Sequence, residues 1–106
     1  MTPVTRPRLL VLSLGGTITM VPSESGGITA KLVAAELVAS VPALAEVGDI
    51  DARSPFRLPS PSLTPANLVE VARVIAAGFA SGCDGAVVVQ GTDTIEESAF
   101  LLDLLV

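Results

Sequence analysis

The run RLLVLSL, residues 8–14, is almost continuously apolar and stops abruptly at Gly15-Gly16. A strand with one wet face alternates apolar and polar residues, so an unbroken run this short fits a parallel strand covered on both faces. A second run of the same kind, GAVVV at 85–89, ends just as sharply. Both lead into a glycine-bearing loop that presents threonine: GGTIT at 15–19 and QGTDT at 90–94. Two buried strands with polar loops at the same end require helices to cover them and crossovers to join them.

The intervening sequence supplies these. Residues 31–41, KLVAAELVASV, form a helix by propensity, and Pro42 helps to stop it. A weaker strand follows around Val47 to Arg53, and SPFRLPSPSL at 54–63 runs as an extended connection. Thr64-Pro65 is a helix start, with Thr as N-cap and Pro at the first helical position. Leu68, Val71, Ala72, Ile75 and Phe79 fall on one face of that helix, and Gly82 lies beyond its end. Thr94 and Glu97 fit a capping box that opens a last helix through Leu105. Val21 to Gly27 reads as a loop, from its proline, serines and paired glycines. The alternation of strand and helix predicts an α/β fold with a parallel sheet and right-handed crossovers.

Composition narrows the function classes. The chain has 106 residues, a net charge of −5 and no His, so no basic stripe is available to meet nucleic-acid phosphates. The one cysteine, Cys83, cannot form an internal disulfide and reads as a small core residue. Arg6 and Arg8 before Leu9–Leu14 look superficially like the start of a signal peptide. That run is too short to span a bilayer and has no small-residue cleavage pattern. The expectation is a soluble, cytoplasmic protein with no membrane partner.

In open parallel sheets, ligands bind beyond the carboxyl ends of the strands. If the first and third strands are neighbours, Thr17, Thr92 and Asp93 converge on one crevice. Three readings of the glycine-threonine loops stay open at this point. A phosphate loop would need the lysine and spacing of G-x-x-x-x-G-K-[ST], which GGTITM lacks. Strand-ending glycines and capping threonines are also ordinary structural devices. A nucleophilic threonine is the third reading, and it requires a nearby base, because a free hydroxyl is weak at neutral pH.

GGTIT at 15–19 and QGTDTIEESAF at 90–100 resemble the two threonine motifs of the bacterial-type L-asparaginases, approximately T-G-G-T-I and H-G-T-D-T-[ML]-E-E-[ST]-A. LVASVPAL at 37–44 resembles the family's first-helix segment. The resemblance covers essentially the whole chain, but only the N-terminal part of the family's larger domain. It implies the N-terminal part of a Rossmann-like (flavodoxin-like) parallel-sheet domain with flanking helices. It implies an amidohydrolase that converts L-asparagine, or L-glutamine, to the acid and ammonia with no metal and no cofactor. By match, Thr17 is the nucleophile. Thr92 polarises the amide or positions water, and Asp93 holds the substrate's α-amino group. The loops at Gly16 and Gly91 help to form the oxyanion site, and Ser60 meets the substrate carboxylate.

The sequence departs from the family pattern in four places. It contains no Tyr, where the family usually has one on the loop after the first motif; the corresponding stretch here is SESGGITAK. Gln90 replaces the His that opens the second motif, and Pro61 stands where a glutamine is common. The family's catalytic Lys and a substrate-contacting Glu correspond to nothing before Val106, and Lys31 is the only lysine. The expectation is therefore a fragment, residues 1–106 of an incomplete domain, with homo-oligomerisation and activity belonging to the complete protein. The alternatives are the asparaginase-like subunit of a glutamyl-tRNA(Gln) amidotransferase, and a non-catalytic remnant or amino-acid-binding module.

Overall fold

The computed structural model describes residues 6–15, 20–22, 28–30 and 34–106. Its sheet has three parallel strands: β1 (Arg8–Ser13) in the centre, β4 (Asp49–Arg53) on one side and β5 (Gly85–Val89) on the other. Leu9 lies opposite Ile50 in one register and Gly85 in the other. The first and third apolar runs are thus direct neighbours, and their carboxyl ends lie side by side.

The core forms where alternate residues of β1 meet the long helix α3 (Pro65–Ala80). Leu10, Leu12 and Leu14 are fully buried against Leu68, Val71 and Ile75, with Cys83 at the edge of the same cluster. Each such side chain contributes about 1.5–3 kcal/mol through burial. α3 starts as its sequence predicts, with Thr64 as N-cap and Pro65 first. Thr64 Oγ1 accepts from Asn67 N–H at 3.1 Å, and Asn67 Oδ1 accepts from Thr64 N–H at 2.9 Å. Gly82 ends the segment with φ +107°, the left-handed conformation that favours glycine.

At the amino ends of the strands, Asp84 fastens β5 to β1. Its carboxylate accepts from Arg8 N–H at 2.9 Å, and its own N–H donates to Arg8 O at 2.7 Å. Along β4, Arg53 donates to Asp51 at 2.8 Å, and this hydrogen bond, more than the attraction of the charges, holds the Asp51 carboxyl below its ordinary value.

Several expectations are corrected. Val21 and Pro22 are not loop: β2 (Met20–Pro22) and β3 (Ile28–Ala30) form a short antiparallel ribbon, with Val21 opposite Thr29. Proline is tolerated at such a strand end because no further ladder bond is needed from it. The first predicted helix appears as α1 (Ala34–Ala39), packed on β4 and β1, and the start of the predicted span lies outside the described residues. Past Pro42 the chain makes a further helical turn, α2 (Leu44–Val47), so the strand expected from Val47 begins only at Asp49. Phe79 is 43% exposed rather than buried on its helix face. β5 is covered on one face only among the described residues: Ala86 and Val88 pack on the core, while Val87 is 55% exposed.

The capping box at Thr94 does not form. The last helix, α4 (Ile95–Leu105), follows a 3-10 turn at Thr92–Thr94, and the Thr94 side chain makes no cap bond. Its hydroxyl instead donates to Ser60 O at 3.1 Å. The Thr94 φ of −125° and ψ of 23° lie outside the extended conformation of a capping residue.

Candidate active site at the carboxyl ends of the strands

Three loops meet where β1 and β5 end. Leu14 N–H donates to Val89 O at 2.8 Å, which carries the β1–β5 pairing one step past the strand. Leu14 O in turn accepts from Leu58 N–H at 2.9 Å. The start of the first-motif loop is therefore held between the end of β5 and the Pro-Ser connection.

Gly15 is required at this junction for two reasons. Its φ is +106°, and a Cβ placed on it would lie 2.6 Å from both the N and the O of Leu58. Those are backbone atoms fixed by the Leu14–Leu58 bond, so they cannot move aside cheaply. The first glycine of GGTIT thus lets two chain segments touch, and Gly16 and Thr17, the predicted loop donor and nucleophile, lie outside the described residues.

Ser60 opens a single 3-10 turn, Ser60–Ser62, and is only 2% exposed. Its carbonyl accepts from Leu63 N–H at 3.0 Å as well as from Thr94. Its Oγ has no hydrogen-bond partner among the described residues. Buried hydroxyls are nearly always paired, so an unpaired one at a loop junction stands out.

From the other side, Gln90 and Gly91 are buried at the end of β5, while Thr92 and Asp93 are exposed on the turn that leads into α4. Gln90 is 8% exposed. Its Nε2 donates to Gly91 O at 3.0 Å and, more loosely, to Thr94 Oγ1 at 3.4 Å. Its Oε1 is unpartnered among the described residues. Behind it lies a recess of about 70 Å³ lined by Val88, Ile95, Ser98, Ala99 and Leu102. A much larger concavity, about 520 Å³, is lined by Arg6, Val41, Pro42, Gly48 and Asp49. It sits at the amino end of β4, the wrong end of a parallel sheet for a ligand site.

Of the residues that the sequence assigns to the site, the structure brings Ser60, Gly91, Thr92 and Asp93 onto two facing turns. Thr94 and Gln90 join those turns, although in sequence one reads as a helix cap and the other as a substitute for His. No local pattern marks their role, since it rests on a contact between residues 34 positions apart. Close approach at Gly15 is equally invisible in GGTIT, although the paired glycines signal that something there needs room.

Comparison with known proteins gives a consistent result. Residues 8–106 match the family described as asparaginase, N-terminal. A probable L-asparaginase of Deinococcus radiodurans is 42% identical over 96% of this chain, which covers 30% of that protein. A glutamyl-tRNA(Gln) amidotransferase component of Methanosarcina mazei is 31% identical over 94% of the chain and 24% of its own length. Among solved structures, a probable cytoplasmic L-asparaginase from Campylobacter jejuni superposes with a TM-score of 0.80 at 31% identity, over 92% of this chain and 28% of that one. The chain therefore spans only 24–30% of the length of these relatives.

Proposed function

The chain belongs to the asparaginase family, whose N-terminal domain it matches over residues 8–106, and from that membership we propose that the protein carrying it hydrolyses L-asparagine to L-aspartate and ammonia. One observation bears most of the weight: the entry to the first threonine motif, the second-motif loop and the Ser60 turn are tied into one junction by the Leu14–Val89, Leu58–Leu14 and Thr94–Ser60 hydrogen bonds. The 42% identity to the Deinococcus protein, against 31% to the archaeal amidotransferase component, supports the hydrolase reading over the amidotransferase one.

In this reading the Thr17 hydroxyl attacks the side-chain amide carbon, losing its proton as the new C–O bond forms. The tetrahedral intermediate collapses with departure of ammonia, leaving an acyl-enzyme. Water then cleaves that ester, releasing aspartate and restoring the hydroxyl. Asp93, exposed on its turn, holds the α-ammonium, and Ser60 donates to the α-carboxylate. Thr92 orients the amide or the water. Backbone N–H groups near Gly16 and Gly91 face the developing oxyanion, a contribution of about 3–4 kcal/mol per donor in comparable sites.

The rest of the domain supplies the lysine that partners Thr92 and Asp93, and further strands that cover β5. The complete enzyme is a cytoplasmic homo-oligomer, a location that the description of the Campylobacter neighbour supports. The test is ammonia release by the complete protein with asparagine and with glutamine, before and after Thr17→Ala. The expected outcome is turnover by the parent and none above background by the variant. Unchanged turnover in Thr17→Ala removes the nucleophile from this position.

A further inference from the structure

We infer that Thr94 is a positioning residue that sets the orientation of Ser60 toward the substrate carboxylate. The inference rests on the proposed role of Ser60 and adds a residue to which the two-motif reading gives no task. Thr94 occupies the N-cap position of α4 but makes no cap bond, its φ of −125° and ψ of 23° lying outside the extended conformation of a capping residue. It donates across the junction to Ser60 O at 3.1 Å. A hydroxyl has one proton, so toward Gln90 it acts as acceptor. The Gln90 amide is oriented for this, because the same Nε2 donates to Gly91 O at 3.0 Å. The bonds run in one direction, from Gln90 through Thr94 to Ser60.

The carbonyl that Thr94 grips is the one that closes the Ser60–Ser62 turn, by accepting from Leu63 N–H at 3.0 Å. Tilting that peptide would swing the Ser60 side chain with it. Ser60 Oγ has no hydrogen bond of its own among the described residues, so no hydrogen bond to the side chain fixes its direction. Its aim is set through the backbone, and Thr94 is the side chain of the facing loop that holds that backbone. The same loop bears Asp93, so one bond registers the carboxylate contact against the α-ammonium contact.

The test compares Thr94→Val, which keeps shape and loses the donor, with Thr94→Ser, which keeps the donor, in the complete protein. Amide exchange is followed over residues 58–64, alongside steady-state kinetics. In Thr94→Val the Leu63 amide is expected to exchange faster, and KM to rise about 3- to 10-fold with kcat within about twofold, the effect of one net hydrogen bond. Thr94→Ser is expected to match the parent in both readouts. Thr94→Ala replaces the valine variant should that fail to fold. An unchanged KM with the donor removed, or a Thr94→Ser variant as impaired as Thr94→Val, overturns the inference. Parent protein without turnover on asparagine or glutamine sinks the functional reading instead, and the exchange at Leu63 then decides Thr94 alone.

Discussion

Gly15 shows how much one missing side chain decides. Its left-handed φ and the 2.6 Å approach of Leu58 forbid any Cβ. Gly15→Ala is therefore expected to destabilise the protein by about 2 kcal/mol or more, read as a lower denaturation midpoint. Gly85 is the control: an added methyl would meet only Leu9 Cδ2, at 3.4 Å, an ordinary contact with a flexible side chain. Gly85→Ala should be neutral or stabilising by about 0.4–1 kcal/mol, through a less flexible unfolded chain. Equal losses at the two glycines would refute the close-approach account. The sequence hints at the difference only through the pairing of Gly15 with Gly16 at a strand end, and does not show the close approach itself. Ser60, in contrast, can be placed from sequence, since it lies a short distance before the unambiguous helix start at Thr64.

Among the elements, those with strong local chemistry are legible. α3 combines a cap, a proline and a one-sided apolar face, and its start agrees with the sequence to the residue. Thr64→Ala removes one half of a reciprocal pair and should cost about 1 kcal/mol, with the loss of helix stability visible as earlier thermal melting. A midpoint unchanged within error would mean that Asn67 alone suffices. The β2–β3 ribbon escapes detection because three-residue strands carry too little alternation to register, and because Pro22 signals a break. α2 escapes because Pro42 stops one helix without preventing a short turn after it. α4 matches its predicted extent but for the wrong reason at its start, where tertiary contact takes the threonine that local pattern gives to the cap.

The whole molecule is a slab, 57 × 32 × 18 Å, with a radius of gyration of 14.9 Å against about 13 Å for a compact domain of ~100 residues. Apolar side chains remain on its outside: Val87 on β5, and Phe100 and Leu104 on α4, the last two about two-thirds exposed at 67% and 66%. The isolated 106-residue chain is expected to self-associate, to bind a hydrophobic dye, and to release no ammonia from asparagine. A monodisperse monomer that binds no dye would contradict the first two expectations, and measurable turnover the third. The sheet also fixes a schedule for synthesis. The bond from Arg8 to Asp84 joins positions 76 residues apart, and β5 is the partner that completes β1. At ~5–20 residues per second a ribosome needs about 4–15 s to deliver that partner. Before that, β4 offers β1 one edge partner and α3 covers Leu10, Leu12 and Leu14, so the opening segment of the nascent chain is exposed to aggregation until α3 emerges and keeps an unpaired edge until β5 follows.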